Sequence, residues 1–321
     1  MNKWVQATLA VIAMLAVSDV AGAQSFPSKP VRLLVPYPAG GAVDVLARTL
    51  GDVVSKTWGQ PVVVENRPGA GGVIASQALV ASPPDGHTLI VVASGHATNP
   101  FLHPSLPYDT FKDFSSISLL ASSPNLLLVR ADAPFKTVAD VIAAAKAKPG
   151  DLSFAHAGNG TSTHFAGELL KSLAKVDIVA VPYKGGAPAI NDLIGGQIPL
   201  SFNNGPESVG QIAGGTVRAL AVTTAKRAAF LPDVPSMSET VPGYDTEVWW
   251  GVLGPTGMPP DVVAKLSRDF VDALNNPTVK ERLTKLGASP IGSSPKEFDA
   301  KIRADYDKWG PIIKAAGIKS E

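Results

Sequence analysis

The chain of 321 residues contains no cysteine. Disulfides, thiolate metal sites and thiol nucleophiles are excluded together, so a fold of this length must be held by core packing alone. Charge is scarce as well: charged residues make up 17% of the chain and the formal net charge is +1. That balance gives no electrostatic case for nucleic acid or for an anionic membrane surface, and any bound anion must be held locally. Long hydrophobic runs are also missing. The nearest approach is Ala7 to Val17, preceded by Asn2 and Lys3 and followed by Ala21-Gly22-Ala23. At about 11 residues it falls short of the roughly 20 that a bilayer span requires. The layout is that of a secretory signal peptide, residues 1–23, cut after Ala23. No cysteine follows the cut, so a thioether lipid anchor is excluded and no direct membrane insertion is expected of the mature chain.

Glycine and proline, by contrast, are abundant, at 30 and 28 residues. Together they fall short of the composition of disordered chains and imply many structured turns. The length suggests two domains. From Val31 onward a short apolar run, a glycine-rich turn and a helix-period segment follow one another repeatedly, which predicts βαβ units with mainly parallel sheets. Strands are expected at Val31 to Val35, Val62 to Val64 and Thr88 to Ala93. Between the first two, Val45, Leu46, Leu50, Val53 and Val54 form one helical face. A second helix is expected from Gly72 to Ala81.

A second series starts near Thr137, with a helix marked by Val138, Val141, Ile142 and Ala145. Strands follow at Leu152 to Ala155, Ile178 to Val181, Pro199 to Phe202 and Arg218 to Val222. Ser118 to Arg130 and Tyr244 to Leu253 fit no compact βαβ unit and read as crossover strands, with the chain leaving the first domain near Pro124 and returning near Val248. The first domain is then 24–123 with 247–321, and the second 124–246. Three helices end the chain, Val262 to Leu274, Pro277 to Leu286 and Pro295 to Ala316, each with proline in its first turn. They are expected to pack back on the first domain.

Glycines and hydroxyls cluster where strands give way to helices. Tyr37, Pro38, Ala39 and Gly40 follow the first strand, with Asp44 in the first turn of the helix beyond; Ala70 and Gly71 follow the second; Ser94, His96 and Asn99 form a turn after the third. In the second series Asn159, Gly160, Thr161 and Ser162 lead to His164, and Tyr183, Lys184 and Gly185 repeat the arrangement. Asn203 lies just past the strand that ends at Phe202. Turns at the carboxyl ends of parallel strands are where ligands bind, and helices starting there aim free N–H groups into the crevice. An anion suits such a site. Trp249 and Trp250 lie in the expected hinge, one ring suited to the cleft wall and the other to the core.

Other chemistries lack their signatures. Gly69-Ala70-Gly71-Gly72-Val73-Ile74 has Ile74 where a dinucleotide fingerprint needs glycine, and no turn ends in the Gly-Lys-Ser/Thr of a phosphate loop. No Gly-x-Ser-x-Gly is present. The five histidines form no His-x-x-x-His pair, so neither a metal nor any other cofactor is expected.

Pro36-Tyr37-Pro38-Ala39-Gly40-Gly41-Ala42-Val43-Asp44 with Arg48, and Glu65-Asn66-Arg67-Pro68-Gly69-Ala70-Gly71-Gly72, resemble the opening signatures of the Bug-type (TctC-like) receptors of tripartite tricarboxylate transporters. Gly158-Asn159-Gly160-Thr161 with His164 and Glu168, and Pro182-Tyr183-Lys184-Gly185-Gly186-Ala187-Pro188-Ala189, resemble that family's second-domain motifs. The resemblance runs from about Phe26 to the C-terminus. It implies a two-domain Venus-flytrap fold, a periplasmic location and a carboxylate ligand held by the first strand–helix loop and the facing second-domain loop, here Tyr37 to Gly41 and Asn159 to Ser162. It also implies delivery to inner-membrane transporter subunits. Asn203 and Asn204 stand where the family often has an aspartate nearby, which points away from a ligand with an ammonium group.

The expectation is therefore a non-catalytic, monomeric receptor. A small carboxylate docks on the first-domain loops, and closure brings Thr161 and Tyr183 to complete the site. A sensor's ligand-bearing partner fits the same residues. The alternative from another class, a secreted hydrolase or isomerase acting on a small carboxylate in the same cleft, predicts turnover that is lost on Thr161→Ala or His164→Ala.

Overall fold

The computed structural model describes residues 26–319. The expected leader and its cleavage point lie outside the described residues. In the first half, β1 (Val31–Val35), α1 (Ala42–Trp58), β2 (Val62–Asn66), α2 (Val73–Val80), β3 (Thr88–Ala93) and α3 (Gly95–Leu102) wind as βαβ units. β1 pairs parallel with both β2 and β3. Val31, Leu33, Leu34 and Val35 are all buried, the signature of a strand covered on both faces. The buried stripe of α1 is Val43, Leu46, Ala47, Leu50 and Val54. Val45, expected in that stripe, is rotated partly out of it.

β4 (Phe114–Arg130) is a single strand that serves both halves. Its first part pairs with a later strand, β9, as far as Pro124↔Glu247, and its second part pairs with β7 from Asn125↔Asn204 onward. Between them lie α4 (Val138–Ala147), β5 (Ser153–His156), α5 (Ser162–Ala174), β6 (Val179–Pro182), α6 (Gly186–Ile194), β7 (Leu200–Asn204), α7 (Gly205–Ala213) and β8 (Val217–Val222). β9 (Glu247–Pro255) returns the chain to the first half, followed by α8 (Pro260–Asn275), α9 (Pro277–Lys285), β10 (Ser289–Pro290) and α10 (Pro295–Ala316). The result is a two-domain α/β molecule strung on one curled sheet of order β2-β1-β3-β9-β4-β7-β5-β6. Parallel pairing is confined to the βαβ parts, and every pair that includes β4 or β9 is antiparallel.

Three sequence expectations are corrected. Ser94 to Asn99 is no turn: α3 begins at Gly95 and carries Pro100 inside it, because Ala97 and Leu102 are buried on one side. The strand expected to end at Phe202 continues to Asn204, since its register with β4 runs on through Asn203 and Asn204. The last helix does not pack on the first domain alone. Phe298 and Ile302 enter the core around Trp249, whereas Trp309 and Ile313, two to three turns on, enter the second-domain core. Trp309 stacks on Phe165 with ring centroids 5.0 Å apart. A 22-residue helix is about 33 Å long, enough to reach across both bodies.

No described helix is long and apolar enough to cross a membrane.

Candidate functional site

The loop from β1 to α1 carries Tyr37, Pro38, Ala39 and Gly40 and is held from behind by a buried carboxylate. Asp44 Oδ2 accepts hydrogen bonds from the Gly40 N–H at 2.9 Å and from Arg48 Nε at 3.0 Å. Its Oδ1 accepts from Asn66 Nδ2, which also donates to the Tyr37 carbonyl. Burial pushes the Asp44 carboxyl up, but the hydrogen bonds from Arg48, Gly40 and Asn66 outweigh it and leave the pKa below the ordinary value. Asp44 thus fixes the loop, and Asn66, which sequence reasoning quoted without assigning it a role, joins β2 to it. The next loop is tighter still: Gly69, Ala70, Gly71 and Gly72 all have positive φ, at 136°, 46°, 61° and 95°. Ala70 is the costly member, because its Cβ disfavours that region, and such strain concentrates at ligand clamps and switch regions.

α3 starts between the loops of the two domains. A Cβ on Gly95 would lie 3.9 Å from the Tyr37 hydroxyl and 3.8 Å from the Gly160 carbonyl oxygen, so the β1–α1 loop, the start of α3 and the β5–α5 loop meet at one point. Burial lifts the Tyr37 hydroxyl to about 12, with Tyr108 adding to the effect, so it is a neutral donor at any physiological pH. Ser94 is at the edge of burial here, while His96 and Asn99 point into the first domain. His96 packs between Tyr108 and Phe114, and Asn99 Nδ2 donates to the Gly71 carbonyl and to the Tyr108 hydroxyl.

On the opposite wall, Thr161 caps α5 and donates to the Gly158 carbonyl at 2.7 Å. Ser162 Oγ donates to Asn125 Oδ1, at the residue where β4 passes from one domain to the other. His164 Nδ1 accepts from the Gly160 N–H, so this ring shapes the loop from its inner side. Asn159 is half-buried and Lys184 exposed. The Tyr183 hydroxyl donates to Asp192, and Gly185 opens α6. Asn203 is fully buried; its Nδ2 donates to the Gly186 carbonyl and its Oδ1 accepts from the Asn204 N–H.

A cavity of about 180 Å³ lies where the first turn of α1 faces the first turn of α7. Gly40, Ala42 and Val45 line one side, Pro206 and Glu207 the other, and Trp250 the floor. The two hinge tryptophans are thus separated: Trp250 faces the cavity, and Trp249 is buried against Phe298, donating its indole N–H to Asp305. Sequence reasoning missed Pro206 and Glu207. Gly205-Pro206-Glu207 is a sixth strand-to-helix turn, and the proline at the helix start was its signal.

The arrangement suits binding more than proton transfer. His156 and His164 stack at 4.2 Å, and burial lowers them to about 4 and about 3, with mutual repulsion adding to the shift in His164. Neither is poised as a base near neutrality. α1 and α6 start with no side-chain cap, which leaves N–H groups of their first turns for a ligand; α7 also lacks one, but its first N–H, on Gly205, donates to Ser123 Oγ. α5, capped by Thr161, is the cleft helix that departs from this. Among the described residues no group of three or more His, Asp or Glu side chains is placed to hold a metal.

The family described as "Tripartite tricarboxylate transporter family receptor" (TctC) matches residues 46–318. Protein BugT of Bordetella pertussis (strain Tohama I) is 33% identical over 311 residues, which cover 96% of this chain and 95% of BugT. Among solved structures, Rpa4515 of R. palustris with adipate is similar at a TM-score of 0.86 and 37% identity, covering 92% of this chain and 100% of that one. MatC (Rpa3494) from Rhodopseudomonas palustris with bound malate gives 0.81 and 34%, covering 90% and 100%. With the loop signatures, the two-domain fold and matches of this length in agreement, the chain belongs to the TctC family of periplasmic solute-binding receptors of tripartite tricarboxylate transporters.

Proposed function

We propose that this receptor captures a small carboxylate between its two domains, acts as a monomer without turnover, and presents the loaded form to its inner-membrane transporter subunits. The observation that carries the reading is the meeting of two loops at Gly95, the start of α3, where the Tyr37 hydroxyl and the Gly160 carbonyl approach from opposite domains; α1, which follows the Tyr37 loop, starts uncapped. A carboxylate there accepts from main-chain N–H groups and the Tyr37 hydroxyl and needs no fixed cation. Charge-assisted hydrogen bonds contribute about 1.5–3 kcal/mol each, so a few reach the roughly 8 kcal/mol of a micromolar site. The adipate and malate of the two R. palustris structures are acids of this class and support it. The domains are taken as 24–123 with 247–321 and 124–246, a division supported by the change of partner along β4 between Pro124 and Asn125. A mature chain starting after Ala23 is part of the same reading.

The test is a thermal-shift panel of mono-, di- and tricarboxylates on protein refolded free of ligand. A binder raises the melting temperature by mass action. Small-angle scattering on the best binder is expected to show compaction. A panel with no response would defeat the assignment, and turnover of any bound acid would favour the hydrolase or isomerase.

A further inference from the structure

The cavity beneath the cleft has one acidic side chain in an otherwise apolar lining. Ala42, Val45, Leu46, Trp250, Leu283, Leu286 and Ala288 surround Glu207, which stands in the first turn of α7. Its Oε2 is buried and has no hydrogen-bond partner, and the same is true of Oδ1 on neighbouring Asn204. Oε2 lies so close to Gly186 that a Cβ there would fall 1.8 Å from it, so glycine at that position is what leaves room for the carboxylate. Buried acceptors are nearly always paired, because an unpaired one forfeits its hydration with nothing in return. Two orphaned acceptor oxygens, one on the N-cap residue of α7 and one on Glu207 in its first turn, which lines the cavity, therefore describe a site that lacks its donor.

We infer that Glu207, with Asn204, is the specificity subsite for the end of the ligand remote from its carboxylate, and that this end bears an ammonium group. A hydroxyl has one proton and satisfies one acceptor; an ammonium has three and satisfies both. Its positive charge also compensates the desolvated carboxylate, which burial alone drives up to about 7 despite a hydrogen bond with Asn204. The apolar walls then accommodate the methylene chain between the two charged ends. This reverses the sequence expectation from Asn203 and Asn204: the acidic group lies one turn further on, in a helix that the sequence reading did not identify. The inference rests on the proposed carboxylate reading and adds the chemistry of the other end.

The experiment uses straight-chain acids of one length ending in methyl, hydroxyl, carboxylate or ammonium: hexanoate, 6-hydroxyhexanoate, adipate and 6-aminohexanoate. Each is titrated calorimetrically into the full mature protein and into Glu207→Gln and Glu207→Asp. In the wild type the ammonium-ended acid is expected to bind at least about tenfold more tightly than the methyl-ended one, as one charge-assisted contact provides. In Glu207→Gln that ratio falls towards one, and Glu207→Asp recovers part of it. The Gln variant is expected to melt no lower than the wild type, since it removes a desolvated charge for which a hydrogen bond with Asn204 does not compensate. A wild type that binds hexanoate or adipate as well as the amino acid overturns the inference, as does a preference that survives in Glu207→Gln. If none of the four acids binds any of the three proteins, this subsite falls while the carboxylate reading stands or falls with the thermal-shift panel; if all four bind alike, only the role of Glu207 falls.

Discussion

Both carboxylate oxygens of Asp44 are occupied, Oδ2 by the Gly40 N–H and Arg48 and Oδ1 by the Asn66 amide, so this residue sets the geometry of the first loop. Asp44→Ala leaves the Gly40 N–H and the Asn66 amide without their acceptor and frees the first loop. The expected cost is about 1–3 kcal/mol in urea unfolding, with weaker binding of any acid the thermal-shift panel identifies. Arg48→Ala should cost under about 1 kcal/mol, because that guanidinium is half exposed and solvent screens its pair with Asp44. Asp44 was legible in the sequence as a first-turn acid facing a helix dipole. What it binds was not, because Asn66 reaches it only through the β1–β2 register, which no local pattern encodes. Glu207 was hidden for a similar reason: its significance lies in the cavity opposite α1 and in the absence of a Cβ on Gly186, both of them long-range facts.

At the scale of elements, periodicity located most strands and helices, and the misses have a common cause. Asn203 and Asn204 are poor strand formers, so the sequence reading stopped β7 short; they are extended because β4 pairs with them. With the strand ended early, α7 went unread. α10 was recognised as a helix, but its apolar stripe does not say which body each turn touches. Its bridging position makes a distinct prediction. Trp309→Ala removes a ring stacked on Phe165 in the second-domain core and should cost about 3–5 kcal/mol. Phe298→Ala, about three turns earlier, empties a site beside Trp249 in the first-domain core. Native-state hydrogen exchange should therefore show α5 loosened by the first substitution and β9 by the second. Loss of protection confined to the first domain in both would show that α10 does not couple the two bodies.

The two crossings of the chain were legible from segments that fitted no βαβ unit, and the whole-molecule layout followed from them; the way the domains are joined was not. Several titratable groups lie in the interior of the two domains, and their signs fix how stability depends on pH. Burial lowers His96 and His156 to about 4, and burial with repulsion from His156 and Lys171 lowers His164 to about 3. The unfolded chain takes up those protons near 6.5 and the folded one does not. Their contribution is complete above pH 6.5 and is lost as pH falls towards 4 and 3. Glu207, raised to about 7 by burial, acts in the opposite sense: its folded form holds a proton that the unfolded chain releases above 4.5, so its contribution is complete below 4.5 and lost as pH rises through 7. Between 4.5 and 6.5 three histidines oppose one glutamate, a net difference of up to about two protons, or roughly 3 kcal/mol per pH unit at the steepest. The melting temperature is expected to fall steadily from pH 6.5 to 4.5. Below 4.5 Glu207 no longer opposes the fall, and the hydrogen-bonded carboxylates, Asp44 and Glu65 among them, begin to add to it. Glu207→Gln should steepen the decline between 6.5 and 4.5 by about one proton. A melting temperature flat across that range would mean that these imidazoles are protonated in the folded protein, with Glu168 Oε1, 4.0 Å from His164 Nε2 and shared with Lys171, as the counter-charge of the stacked His156–His164 pair.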